Sequence, residues 1–137
     1  MSYLLDTNVV SETAKSSPST RVVGWLEEVS VESLFISTLT LGEIRYGIDK
    51  LTDVGLQTRL NEWLERDVVA WFGLRLLPID AMVADTWGRL RSRAGRTLPA
   101  IDGLVAATAL ANGLTLVTRN VKDFRDTGVE VIDPWNT

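Results

Sequence analysis

Short apolar runs alternating with helix-length amphipathic segments limit this chain to few architectures. The runs are Tyr3 to Leu5, Leu34 to Ser37, Arg75 to Pro78, Thr115 to Thr118 and Glu130 to Ile132. Such alternation is the pattern of an α/β domain built on a mainly parallel sheet, and strands this short suit a sheet covered by helices on both faces. With 137 residues, the chain is expected to form one domain, 1–137, around one core.

The segments between the runs carry helix signals. Ser19 through Val29 follows Pro18 and a Ser or Thr cap, with Trp25, Leu26 and Val29 on its apolar face. A helix after Ser37 carries Leu41, Ile44 and Ile48 on one stripe. Leu56, Leu60, Trp63, Leu64, Val68 and Trp71 recur at helical spacing and predict a packed amphipathic helix. Asp80 caps the next helix, whose stripe of Val83, Trp87, Leu90 and Ala94 ends at Gly95 and whose other face is basic. Pro99 opens a last, alanine-rich helix that Asn112-Gly113 closes. Trp25, Trp63, Trp71 and Trp87 fall on these stripes and are read as core or subunit interface. Trp135, in DPWN after the last run, either covers the sheet end or meets a partner.

Composition matters here through what is missing. The chain has no histidine and no cysteine, which removes imidazole bases, thiolate nucleophiles, disulfides and thiolate zinc sites. Hydrolysis by such a chain calls for clustered carboxylates holding a hard divalent cation. A net charge of −4 is not that of a protein coated with nucleic acid, so a nucleic-acid substrate would have to meet local basic patches. The longest uncharged stretch, Gly103 to Thr118, is interrupted by Asn112 and Gly113 and is too short to span a bilayer. The start MSYLLDTN has no basic n-region. Cytoplasmic residence without a membrane partner is the resulting expectation.

Four acids stand where α/β domains place ligands. Asp6 ends the first run and Asp123 follows the fourth, both on the carboxyl side of the sheet. Glu43 lies in the helix after the second run, beside the buried stripe, and Asp102 begins the alanine-rich helix, whose N-terminus favours a carboxylate. Singly, each reads as a cap, a turn former or an ordinary surface acid. Together they reach one rim of one sheet. Two carboxylates about 4 Å apart repel by roughly 4 kcal/mol at an effective dielectric near 20, and a divalent cation relieves that repulsion. The donors are oxygens alone, which points to magnesium or manganese rather than zinc.

The segments YLLDTNVVSE, STLTLGEIRYGI, AIDGLVAATALANGLTLVTRNVKDF and VEVIDPW, in this order and spacing, resemble the PIN domain family, specifically the VapC-type toxins of bacterial toxin-antitoxin pairs. The resemblance spans essentially the whole chain. It places the family's acidic quartet on Asp6, Glu43, Asp102 and Asp123, and its small polar residues on Thr7, Asn8, Thr118 and Asn120. It implies a PIN-like three-layer fold with a five-stranded parallel sheet in the order 3-2-1-4-5, which sets the first and fourth strands side by side. It also implies magnesium-dependent endoribonuclease activity, dimers, and neutralisation by a small VapB-type antitoxin that usually represses the shared operon. Operator DNA would then be met only through the antitoxin.

On this reading, metal-activated water cleaves an RNA phosphodiester bond. Asp6 and Asp102 are the first choice of direct ligands, with Glu43 and Asp123 completing the site through water or a second ion, and Thr118 and Asn8 orienting ligands or water. Arg89, Arg91, Arg93 and Arg96 form one basic tract toward Asp102; Arg119, Lys122 and Arg125 form another around Asp123. Both are candidate phosphate contacts, set against the ordinary solvated face. Arg45 pairs with an acid or with the antitoxin. A haloacid dehalogenase-like phosphatase would need an Asp at the position of Asn8, and a response-regulator receiver a lysine after the fifth strand; neither is present. The stronger rival is a catalytically silent module that acts as co-repressor with a DNA-binding antitoxin.

Overall fold

The computed structural model describes residues 1–137. Its five strands, β1 (Tyr3–Leu5), β2 (Leu34–Ser37), β3 (Leu76–Leu77), β4 (Thr115–Val117) and β5 (Val131–Ile132), all run parallel in the order β3-β2-β1-β4-β5. This is the architecture and strand order that the resemblance implies. β3, β4 and β5 are shorter than their apolar runs. At the end of β4, Thr118 still donates its N–H to the Ile132 carbonyl at 2.9 Å.

Alternation along the strands sorts side chains into two cores. Leu5, Leu34, Ile36 and Val117 face one layer, with helices α1 (Thr7–Thr13), α2 (Thr20–Glu28), α3 (Thr38–Asp49) and α4 (Val54–Trp63). Leu4, Phe35, Leu77 and Leu116 face the other, with α6 (Ala81–Arg93) and α7 (Ala100–Ala111). Ala106, Ala107 and Ala109 are fully buried in α7, and their small side chains let its backbone come close to the sheet. After β2 and β3 a polar cap starts the next helix: Ser37 Oγ accepts from the Leu39 N–H at 3.1 Å, and Asp80 Oδ1 from the Val83 N–H at 2.9 Å.

Two local departures from the sequence reading have physical causes. Helix α1 follows β1 at once, where the reading had no helix. Its Val9-Val10 pair is β-branched and poor for an isolated helix, but both valines are buried against the sheet, and packing overrides propensity. The long amphipathic segment is also not uniform. After α4 its ladder widens over Leu64–Val69, where Ala70 N–H bonds back to the Glu65 carbonyl, before a last turn, α5 (Ala70–Phe72). The wider turn rotates the stripe, so Phe72 enters the core at 7% exposure while Trp71 is 46% exposed. Trp71 is therefore a surface residue, braced by Arg75, whose guanidinium lies 4.8 Å from its ring. Trp25 and Trp63 pack against the first core as expected.

Candidate active site

The site grows from the β1–β4 pair at the centre of the sheet. In register, Leu5 sits beside Val117, so the next residues, Asp6 and Thr118, emerge together at the carboxyl edge, and the Asp6 N–H donates to the Val117 carbonyl at 2.9 Å. Asp6 caps α1, with Oδ1 accepting from the Thr7 N–H at 2.8 Å. Its other oxygen accepts from the Thr118 hydroxyl at 2.8 Å. That hydroxyl is fully used, because Thr118 Oγ1 also accepts from Asn8 Nδ2 and from the Asn120 N–H, each at 3.1 Å. Thr118 is wholly buried, and its hydroxyl anchors Asp6, Asn8 and the Asn120 N–H to the end of β4. Asn8 spans the same gap, accepting from the Arg119 N–H at 3.2 Å.

Glu43 reaches this cluster from α3. It is exposed, and its Oε1 accepts from Thr7 Oγ1 at 2.6 Å, which itself lies 3.1 Å from Thr40 Oγ1. Thr40 is buried and was not singled out in the sequence; its spacing of one helical turn from Glu43 was the available signal. Asp102 stands in the first turn of α7. Asp123 sits in the short 3-10 turn Val121–Phe124, which is held down by buried Phe124 and by Arg96, whose Nη2 donates to the carbonyls of Asp123 (2.9 Å) and Arg125 (3.2 Å).

The electrostatics tie the four acids together. Burial raises the Asp6 carboxyl above the ordinary range, against the hydrogen bonds from Thr118 and Thr7, and the charges of Glu43 and Asp123 raise it further. Asp102 is raised by burial and then by Asp123, Asp6 and Glu43, with Arg96 opposing. No three acidic side chains stand close enough to enclose an ion by themselves. The four oxygen-bearing side chains are near enough for their charges to act on Asp6 and Asp102, without closing around one point.

The basic tracts divide by what they already hold. Arg89 pairs with Asp85 at 3.1 Å, and Arg93 Nε donates to the Arg89 carbonyl at 3.4 Å. Arg91 stacks on Trp87, 4.7 Å from its centroid, and Arg96 is the brace just described. Arg119 stacks on Trp135 and Lys122 is exposed. Arg45 binds Asn61 Oδ1 at 2.5 Å and Glu65 at 3.4 Å, so it pairs within the chain. Sequence reasoning also missed Glu12, which is buried in α1 and takes the Ser19 N–H and Lys15 Nζ, each at 2.8 Å.

A parallel sheet whose central strands deliver acids and a saturated hydroxyl anchor to the switch point defines an α/β domain with an oxygen-only acidic site. The chain belongs to the PIN domain family, whose model matches residues 3–130. It is 38% identical over 136 residues to the toxin FitB of Neisseria gonorrhoeae, covering 97% of this chain and 98% of that protein. To the VapC ribonuclease Y4jK of Sinorhizobium fredii it is 33% identical over 135 residues, covering 96% of each. The crystal structure of FitAcB from Neisseria gonorrhoeae superposes with a TM-score of 0.93 at 38% identity, covering 98% of this chain and 99% of that one.

Proposed function

We propose that this chain is a metal-dependent endoribonuclease, the toxin of a cytoplasmic toxin-antitoxin pair. One observation carries the reading: in a PIN-family chain, Asp6 is pinned by Thr118 and Thr7 at the sheet edge and its charge is coupled to Glu43, Asp102 and Asp123. Likeness to proteins named as a toxin and a ribonuclease supports the biological side.

The donor set fits magnesium, with manganese as a substitute. It is all oxygen, burial and then neighbouring acids raise Asp6 and Asp102, and no three of its acids enclose an ion by themselves, which suits a cation that keeps part of its water shell. Asp6 and Asp102 would hold the ion, and Glu43 and Asp123 would complete its surroundings through water. When bound, the ion supplies water activation and offsets charge on the phosphoryl group. The protein's own contribution is orientation. Thr118 and Asn8 fix the Asp6 carboxylate, and Thr7 draws Glu43 toward it. No side chain here is poised as a covalent nucleophile, since the Thr7 and Thr118 hydroxyls are both donated to carboxylates. The toxin would act as a homodimer and be neutralised by a cognate VapB-type antitoxin, through which alone it would meet operator DNA.

The test is cleavage of RNA by purified, antitoxin-free protein. Cleavage is expected with magnesium or manganese, and Asp6→Asn and Asp102→Asn should each abolish it while leaving the circular dichroism unchanged. Undiminished cleavage in excess chelator would refute the metal requirement, and full activity of both variants would remove the two acids from the site. Expression without the antitoxin should arrest growth, whereas harmless expression of active protein would argue against a toxin.

A further inference from the structure

The side chains of Trp135 and Arg119 take no part in holding the acids, yet the Arg119 backbone is tied to Asn8 beside them and its side chain is seated on Trp135. The closing turn is a made structure: Asp133 accepts from the Trp135 N–H at 2.9 Å and from Asn136 Nδ2 at 2.7 Å, and Pro134 is buried. The Trp135 ring packs on the α1 and α2 side of the sheet. Over it lies the Arg119 guanidinium, 5.0 Å from the ring centroid, and the Trp135 carbonyl accepts from Arg21 Nη1 at 3.4 Å. Both arginines are exposed and neither is ion-paired with a carboxylate. Glu12, the acid that senses Arg119, has its oxygens committed to Lys15 and the Ser19 N–H.

The other end of Arg119 leads directly to the acidic centre. Its N–H donates to Asn8 Oδ1 (3.2 Å), Asn8 Nδ2 donates to Thr118 Oγ1 (3.1 Å), and that hydroxyl donates to Asp6 Oδ2 (2.8 Å). We propose that Arg119, stacked on Trp135 and flanked by Arg21, is a phosphate-binding subsite that holds the RNA backbone beside the acidic centre, with Trp135 as its positioning residue. The inference rests on the ribonuclease reading above and adds where the strand is held. A polyanion entering a rim of four carboxylates on a chain of net charge −4 needs fixed, unneutralised cations next to that rim. A guanidinium already stacked on an aromatic face gives up less freedom on binding, and its planar fork matches phosphate oxygens. Arg75, Arg89 and Arg96 spend donors on carbonyls or on Asp85; Arg119 does not spend its side-chain donors.

The experiment measures anisotropy of a short fluorescein-labelled single-stranded oligoribonucleotide of mixed sequence, with wild-type protein and variants in chelator across a salt series, beside cleavage of total RNA in magnesium. Arg119→Gln should weaken binding about tenfold and reduce the salt slope by about 0.7, the loss of one phosphate contact on a single strand. Arg119→Lys should restore the slope but not the affinity, because the charge returns without the planar stack. Trp135→Leu should match Arg119→Lys, and Trp135→Phe should keep most of the affinity, which leaves the idea testable if Trp135→Leu folds poorly. Lys50→Gln, removing one charge elsewhere, should leave affinity within about twofold. Unchanged affinity and slope in Arg119→Gln, with wild-type protein still cleaving RNA, overturn the subsite and leave the ribonuclease standing. Wild-type protein that neither binds nor cleaves RNA overturns both. Variants that lose binding to polyglutamate but not to RNA overturn it in favour of an acidic protein ligand.

Discussion

Thr118 shows how much one hydroxyl can organise. It donates to Asp6 and accepts from Asn8 and the Asn120 N–H, so Thr118→Val, nearly the same shape, removes a partner from three groups at once. We expect a stability loss of about 1–3 kcal/mol in chemical denaturation and a fall in cleavage rate of about 10- to 100-fold, with Thr118→Ser close to wild type in both. Asp102 should behave oppositely in stability. Its carboxyl and that of Asp6 are raised by burial and by neighbouring acids. Between the ordinary and raised values the folded chain therefore keeps protons that the unfolded chain has released. Stability of the metal-free protein should fall as pH rises through that window and stay reduced at neutral pH. Asp102→Asn removes a half-buried charge crowded by other acids, so its metal-free Tm at pH 7 should exceed wild type while cleavage is lost. A lower Tm would contradict this account of crowded charge.

Among the elements, α6 and α7 set the position of Asp102. A Cβ on Gly103 would stand 3.0 Å from Trp87 Nε1 and 3.2 Å from its Cδ1, so the glycine is where the two helices approach. Gly103→Ala gains about 0.5–1 kcal/mol in helix propensity but meets an overpacking cost of about 1–3 kcal/mol, and net destabilisation with impaired cleavage is expected. With Trp87→Leu as background, the same change should become neutral or stabilising; a double-mutant cycle by thermal melts checks the sign. Element identity was largely readable in the chain, since caps at Ser19, Ser37 and Asp80 and the closing Asn112-Gly113 all stand where helices begin or end. Less readable were α1, whose valines favour strand, and the widened turn at Leu64–Val69. Both depend on what the segment packs against, which local spacing does not encode.

At the scale of the molecule, residues 6, 43, 102 and 123, far apart in the chain, come within electrostatic reach of one another in a fold whose sheet sets β1 beside β4. A cation bound only to the folded form should then stabilise it by mass action, by about 2.7 kcal/mol at a hundredfold excess over Kd. Magnesium or manganese should raise the Tm of wild type but not of Asp102→Asn, and equal shifts in both would place the ion elsewhere. Residue types and their order were enough to indicate an α/β domain and to single out four oxygen-bearing acids as candidates, because periodicity, capping chemistry and the absence of histidine and cysteine are properties of the chain itself. The saturation of Thr118, the bracing role of Arg96, the exposure of Trp71 and the seating of Arg119 on Trp135 were decided by the fold. Each depends on distances between residues far apart in the chain, and packing sets those distances.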